Sequence, residues 1–289
     1  MEDEIIRFKD YLTYERRYSY NTVKAYIIDI EEFATFCKET AQLESLKDAD
    51  PKLVRQWVMK LRASGLYAVS VNRKISTVRG FYKWMLKKDM ILRSPAQGLR
   101  NLRRPKRLPE FVPEDKMTEI LDNPAEFVDT EGGDRDRLII ELFYDTGIRE
   151  TELIDLTCGD VDLSRRTITV HGKGDKTRMV PISDSMCERL SKIMTSPGDS
   201  LFKTDKGTKM YPRLVYRIVH KHLEQVGTLD KSSPHTLRHS FATAMLNNGA
   251  PLEAIKELLG HANLSATQIY THTTYEKLNE IYKQAHPRA

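Results

Sequence analysis

A chain of 289 residues is long enough for two compact domains, and a composition that is 40% hydrophobic and 30% charged excludes a disordered or fibrous polymer. The 46 basic against 41 acidic residues give a net charge of +5, which permits contact with nucleic acid without requiring it. No apolar run approaches the roughly 20 residues that span a bilayer, and the opening Met1-Glu2-Asp3-Glu4 is acidic where a secretory leader is basic. With Cys37, Cys158 and Cys187 lacking the spacing of a disulfide framework or a zinc site, the expectation is a cytoplasmic protein with buried thiols and no membrane partner.

The first part of the chain reads as helices only. Ser19 caps a helix whose apolar positions are Val23, Tyr26, Ile27, Ile30, Phe33, Ala34 and Cys37, one buried stripe at helical spacing. Asp50-Pro51 opens a second, burying Leu53, Val54, Trp57, Val58 and Leu61 up to a stop at Gly65. A third follows Ser70 and buries Val71, Ile75, Val78, Phe81, Tyr82 and Met85, leaving Arg73, Lys74, Arg79, Lys83, Lys87 and Lys88 on its other sides. Residues 1–99 are expected to form a helical bundle with a basic face, of the kind a DNA groove accepts and solvent accepts equally well. Residues 100–112 follow as a linker: Arg100, Arg103, Arg104, Lys106 and Arg107 stand without an acidic neighbour, and Pro105 and Pro109 prevent a continuous helix. Such a strap serves as a solvated hinge or follows a phosphate backbone.

Residues 113–289 mix element types. Helices are predicted at Asp134–Tyr144 and Glu150–Leu156, then β-branched strands at Thr167–Val170 and Arg178–Ile182, joined by a hairpin whose Gly172 and Gly174 permit positive φ. Helices return at Leu214–Val226, Leu237–Asn247, Leu252–Leu259 and Tyr275–Gln284, with Asn248-Gly249 and Gly260 as stops. The fold class expected is mainly α with a small antiparallel β-sheet, a helical first domain preceding a mixed α/β second one.

Several chemistries lack their motifs. The stretch Gly172-Lys173-Gly174-Asp175-Lys176-Thr177 misses the spacing of a phosphate loop and joins two strands instead of opening a helix. His235 and His239 stand four apart, but Thr236 occupies the place where a zinc protease needs glutamate, so neither metal nor nucleotide cofactor is expected. What remains is a set of cations and a tyrosine: Arg149, Lys173, His235, Arg238, His261 and Tyr270. Taken singly each has a bland role, Arg149 as a partner of Glu152 one turn later, His261 as a cap after Gly260.

Taken in order, the segments Thr146-Gly147-Ile148-Arg149-Glu150-Thr151-Glu152-Leu153, Gly172-Lys173-Gly174 with Arg178-Met179-Val180-Pro181, His235-Thr236-Leu237-Arg238-His239, Leu258-Leu259-Gly260-His261 and Thr267-Gln268-Ile269-Tyr270-Thr271-His272 resemble the tyrosine recombinases, the phage integrase family, nearest its Xer branch. Ser19-Tyr20-Asn21-Thr22 and Ala25-Tyr26 resemble the start of the family's core-binding domain, so the likeness covers nearly the whole chain, and no catalytic position departs from the pattern. The resemblance implies a site-specific recombinase that cuts and rejoins DNA through a 3′-phosphotyrosyl bond to Tyr270. Arg149 and Arg238 would neutralise the phosphate, His235 would act as acid/base, Lys173 as general acid, and His261 as a phosphate hydrogen-bond donor. Glu152 and His239 would support them, and Arg73, Lys74, Arg103, Arg104, Lys106 and Arg107 would contact DNA.

The implied partners are a double-stranded recombination site and further recombinase subunits, four on DNA, of one chain type or shared with a paralogue. Chromosome-dimer resolution and the integrase or invertase role of a mobile element use the same chemistry. The terminal stripe Leu278, Ile281, Tyr282 and Ala285 is too short to be stable alone, and the resemblance leads us to expect that it docks on a neighbouring subunit.

Overall fold

A computed structural model describes residues 1–103, 110–123, 127, 132–172, 176–224, 232–260 and 272–289, the side chains of 272–274 excepted. The chain divides into two compact units, Met1–Arg107 and Leu108–Ala289.

The first unit is built of helices α1 (Glu2–Asp10, continued by a wider turn through Glu15), α2 (Tyr20–Ala41), α3 (Pro51–Ala63) and α4 (Ala68–Lys87). The predicted caps form: Ser19 Oγ accepts from Thr22 N, and Asp50 Oδ1 accepts from Leu53 N at 2.6 Å, each satisfying one of the donors that a helix start leaves open. Val71, Ile75, Val78, Phe81, Tyr82 and Met85 of α4 are all inaccessible and meet Ile30, Phe33 and Trp57 of α2 and α3. The Tyr82 hydroxyl donates to Leu46 O at 3.0 Å, which removes the cost of burying it. Helix α1 went unpredicted because it is mostly charged; Phe8 and, in the following turn, Leu12 anchor it, with Phe8 against Phe81 and Trp84.

One expectation for this unit needs correction. Lys74 does not decorate an open face: only 7% exposed, it pairs with Asp29 at 3.2 Å and with Glu32. Asp29 is wholly buried on α2 and also holds Arg73 and the Thr77 hydroxyl, so a lysine is drawn inward to balance a carboxylate that has no access to water. Arg73, by contrast, remains about half exposed.

The second unit contains α5 (Glu114–Asp122), α6 (Gly133–Thr146), α7 (Glu150–Asp155), a three-stranded antiparallel sheet in the order β1 (Val161–Asp162), β2 (Thr167–Gly172), β3 (Lys176–Pro181), and then α8 (Asp184–Ile193), α9 (Pro212–Leu223), α10 (Pro234–Asn247), α11 (Leu252–Leu259) and α12 (His272–Ala285). Strands β2 and β3 pair from Thr167 opposite Pro181 to Gly172 opposite Lys176, so the two strands of the predicted hairpin are in register. Ile168, Val170 and Val180 pack with Ile139, Phe143, Ile148, Leu153 and Leu237 to form the main core. The three cysteines carry no disulfide; Cys37 and Cys158 are buried, but Cys187 is partly exposed, at the margin of the main core. No helix among the described residues is long and apolar enough to cross a membrane.

The terminal helix also departs from expectation. Leu278, Tyr282 and Ala285 are buried against Phe241, Met245, Ile255 and Leu258 of the same chain. Polar groups hold the end in place: Asn248 Nδ2 donates to Ala285 O at 3.0 Å, and Arg288 reaches Asp122 at 3.0 Å and Glu141 at 3.2 Å. The physical reason is that α10 and α11 expose an apolar groove that this stripe fits, so a single chain satisfies its own tail.

Candidate active site

Three arginines from separate stretches of the chain meet at one helix end. Helix α11 stops at Gly260, whose φ of 64° lies in the left-handed region. The last carbonyls of a helix have no partner within it. Here Arg178 Nε donates to Leu258 O at 2.7 Å, Arg238 Nη2 to Leu259 O at 2.6 Å, and Arg149 Nη2 to Gly260 O at 3.3 Å. Three consecutive carbonyls thus receive three guanidinium groups at the negative end of the helix dipole.

Local structure positions each arginine. Helix α6 ends at Gly147, φ 58°, where a Cβ would lie 2.5 Å from a Phe241 ring carbon and 2.7 Å from Leu259 Cδ2; only glycine permits the turn that delivers Ile148 to the core and Arg149 to the surface. Arg149 then caps α7: its backbone N–H donates to Glu152 Oε2 and its side chain to Glu152 Oε1, both at 2.7 Å. Strand β3 sends Arg178 inward to the same carboxylate, at 3.0 and 2.8 Å. Burial alone would raise the pKa of Glu152, but Arg178 and then Arg149 outweigh it and hold the carboxyl at about 2. Arg238 is 6% exposed and donates also to Gly147 O at 2.6 Å, so it staples the end of α6 to the end of α11. Desolvation, with the charges of Arg149 and Arg178, lowers its pKa to about 10.

Ser233 Oγ accepts from Thr236 N and starts α10, which places His235 on the first turn and exposed. Arg149, His235 and Arg238 line one open cleft of about 380 Å³, together with Thr151, Ser233 and Tyr216. His239 sits one turn further along α10, partly buried, with the Phe111 ring 6.3 Å away; desolvation, then His235, lowers its pKa. Lys173, His261 and Tyr270 lie outside the described residues, as do Arg104, Lys106 and Arg107. Arg103 is exposed just after Leu102, whose backbone N–H and carbonyl both bond Asn72 of α4.

Two features escaped the sequence reading. Arg178 is not among the predicted site residues; the signal for it is an arginine among apolar strand residues, at an inward position of β3. Tyr216 was missed because Leu214–Val226 was read as a helix without regard to which residues its faces carry. Its exposed side carries Arg213, Tyr216, Arg217 and Lys221, the kind of cationic and aromatic face that suits a nucleic-acid backbone.

Comparison with known proteins decides the family. Residues 110–277 match the Phage integrase family and residues 5–89 match the Phage integrase, N-terminal SAM-like domain. The chain belongs to the phage integrase family. Tyrosine recombinase XerC of Pelobacter propionicus is 36% identical over 99% of this chain and 96% of that protein, and Tyrosine recombinase XerC of Bacillus subtilis is 35% identical over 98% and 95%. The chain is an Xer-like site-specific tyrosine recombinase, an enzyme of DNA cleavage and religation. The fold is shared with the XerH site-specific recombinase bound to palindromic difH substrate (TM-score 0.71, 24% identity, 92% of this chain and 80% of that one). It is shared also with the Tn1549 transposon integrase in complex with transposon right end DNA (TM-score 0.69, 17% identity, 96% and 98%).

Proposed function

We propose that this recombinase breaks a DNA strand by attack of the Tyr270 hydroxyl on the scissile phosphorus, forming a 3′-phosphotyrosyl bond and releasing a 5′ hydroxyl. The observation that supports this reading is the convergence of Arg149, His235 and Arg238 on one cleft. Two guanidinium groups neutralise the charge that grows on the non-bridging oxygens. Each has donors to spare: a guanidinium carries five N–H groups, and Arg149 and Arg238 each direct only Nη1 and Nη2 at protein acceptors among the described residues. His235 takes the tyrosine proton, and His261 donates to the phosphate. The departing 5′ oxygen needs a proton, which Lys173 on the β2–β3 hairpin supplies. Because the phosphotyrosyl ester conserves the energy of the broken bond, attack by another strand's 5′ hydroxyl rejoins the DNA without nucleotide hydrolysis.

The partner is duplex DNA at a recombination site, contacted through Arg73, the α9 face and the linker residues Arg103, Arg104, Lys106 and Arg107. Lys74 supports this surface from behind, through Asp29. Four copies act on two duplexes, as cytoplasmic chromosome-dimer resolution requires, so the docked α12 of a lone chain must compete with subunit exchange. A nicked suicide substrate tests the chemistry: Tyr270→Phe is expected to bind the half-site as the parent does and to form no covalent adduct. Lys173→Ala is expected to cleave normal DNA poorly and a substrate with sulfur at the 5′ bridging position well, since thiolate leaves without a proton. An adduct from Tyr270→Phe, or no sulfur rescue of Lys173→Ala, contradicts the corresponding role.

A further inference from the structure

Glu152 presents a problem of competition. Its side chain is 3% exposed and holds four donors: Arg178 through Nη1 and Nη2, and Arg149 through its backbone N–H and Nη1. The same Arg149 guanidinium, 42% exposed, faces the cleft where a phosphate would sit. A buried carboxylate with a single cation for company would keep that cation, because separating the pair leaves an uncompensated buried charge. Arg178 changes this. It is 5% exposed, lies beneath Gly260 so closely that a Cβ there would stand 3.1 Å from its side chain, and gives Glu152 a second, bidentate cation that no solvent competes for. The contact set then holds Arg149, Arg178 and Arg238 against one carboxylate, leaving two positive charges where a phosphate transition state needs them.

We infer that Arg178 is a positioning residue of the recombination reaction: by neutralising Glu152 it keeps the Arg149 charge available to the scissile phosphate. The inference rests on the reading of the cleft as the phosphate site. Arg178 is absent from the lining of that cleft and acts through Glu152. Its bond to Leu258 O also braces β3 against α11, and the test must separate charge balance from bracing.

Full-length variants are compared for adduct formation on a nicked suicide substrate, with half-site binding and thermal unfolding measured in parallel. Arg178→Met is expected to slow adduct formation on the order of ten- to a hundred-fold, the range seen when a supporting partner of a reacting group is lost. Adding Glu152→Gln to Arg178→Met restores the two-charge balance and should recover most of that loss. Arg178→Lys keeps the charge but loses the bidentate fork, and should stay much closer to the parent than Arg178→Met. On a substrate whose scissile phosphate is a neutral methylphosphonate, the Arg178→Met defect should shrink, since less negative charge develops.

A bracing role predicts the reverse pattern: no recovery in the double variant, equal defects for lysine and methionine, and the same loss on both substrates. Any of these overturns the inference, as does a double variant that unfolds when Arg178→Lys does not. If the parent itself forms no adduct, the reading of the cleft fails instead, and the two failures are told apart by that control.

Discussion

The docking of the terminal helix can be tested at one residue, Tyr282. Its ring is 1% exposed and stacks on His286, centroids 4.9 Å apart and planes 12° from parallel, within the cluster of Phe241, Met245, Leu258 and Leu278. Its hydroxyl has no hydrogen-bond partner among the described residues, a different situation from Tyr82, which has one. The two halves of the side chain therefore contribute with opposite sign. Tyr282→Ala removes a buried ring and leaves a cavity, a loss on the order of 3–5 kcal/mol. Tyr282→Phe keeps the ring and removes a group whose unpaired burial costs about 1–3 kcal/mol. The expected result is a gain of about 1 kcal/mol, which in a domain of this size raises Tm by about 2–4 °C. Scanning calorimetry on the full chain would follow the transition of the second unit. A Tyr282→Phe protein less stable than the parent by about 1 kcal/mol or more would refute the reasoning, because it would mean that the hydroxyl is paired.

Acid should loosen the same end of the chain. Burial lowers the His286 pKa from 6.5 to about 4, so neutral His286 contributes stability that is complete above pH 6.5 and is lost as pH falls toward 4. Asp145 opposes this: burial, then Glu141, raise its pKa, and its unfavourable contribution fades in acid. Hydrogen-exchange protection within residues 275–285, taken relative to the intrinsic amide rate at each pH, is expected to fall between pH 6.5 and 4.5 in the parent and to do so less in His286→Phe; identical profiles would remove His286 as the cause. For Arg238→Lys, a single ammonium replaces a fork that spans Gly147 O and Leu259 O, so adduct formation should fall about a hundred-fold or more while half-site binding is largely kept. A lysine variant as fast as the parent would show that charge alone suffices there.

Much of the architecture was legible because local chemistry and long-range packing agree. Ser19 and Asp50 cap as their sequence contexts specify, the stripe of α4 is buried throughout, and Leu252–Leu259 folds over those residues. Helices α1, α5 and α8 were missed: each is short and rich in charge, and each is fixed by a few apolar contacts made with distant segments. Strand β1 has two residues, too few for any period to register. The pairing of Lys74, and the seat of the α12 stripe within a single chain, were hidden for one reason. Periodicity tells which residues share a face, but not what lies opposite; Asp29 faces the first, and the groove of α10 and α11 faces the second.

The end of α11 explains why this family signature is spread so widely along the chain. Backbone carbonyls at a helix end need donors, and a phosphate needs donors too; a guanidinium has enough to serve both. Arg149 and Arg238 can therefore hold the fold and still present N–H groups to the cleft, whereas a lysine or histidine in either place would have to choose. The dual use has a cost: desolvation first, and then repulsion from Arg149 and Arg178, lowers the pKa of Arg238. Glu152 limits that cost, and by doing so threatens to capture Arg149; Arg178 from the sheet resolves the conflict. Each residue of the set answers a difficulty raised by another. A sequence that retained Arg149 and Arg238 but lost the Glu152–Arg178 pair would keep the two arginines of the cleft and lose the balance between them.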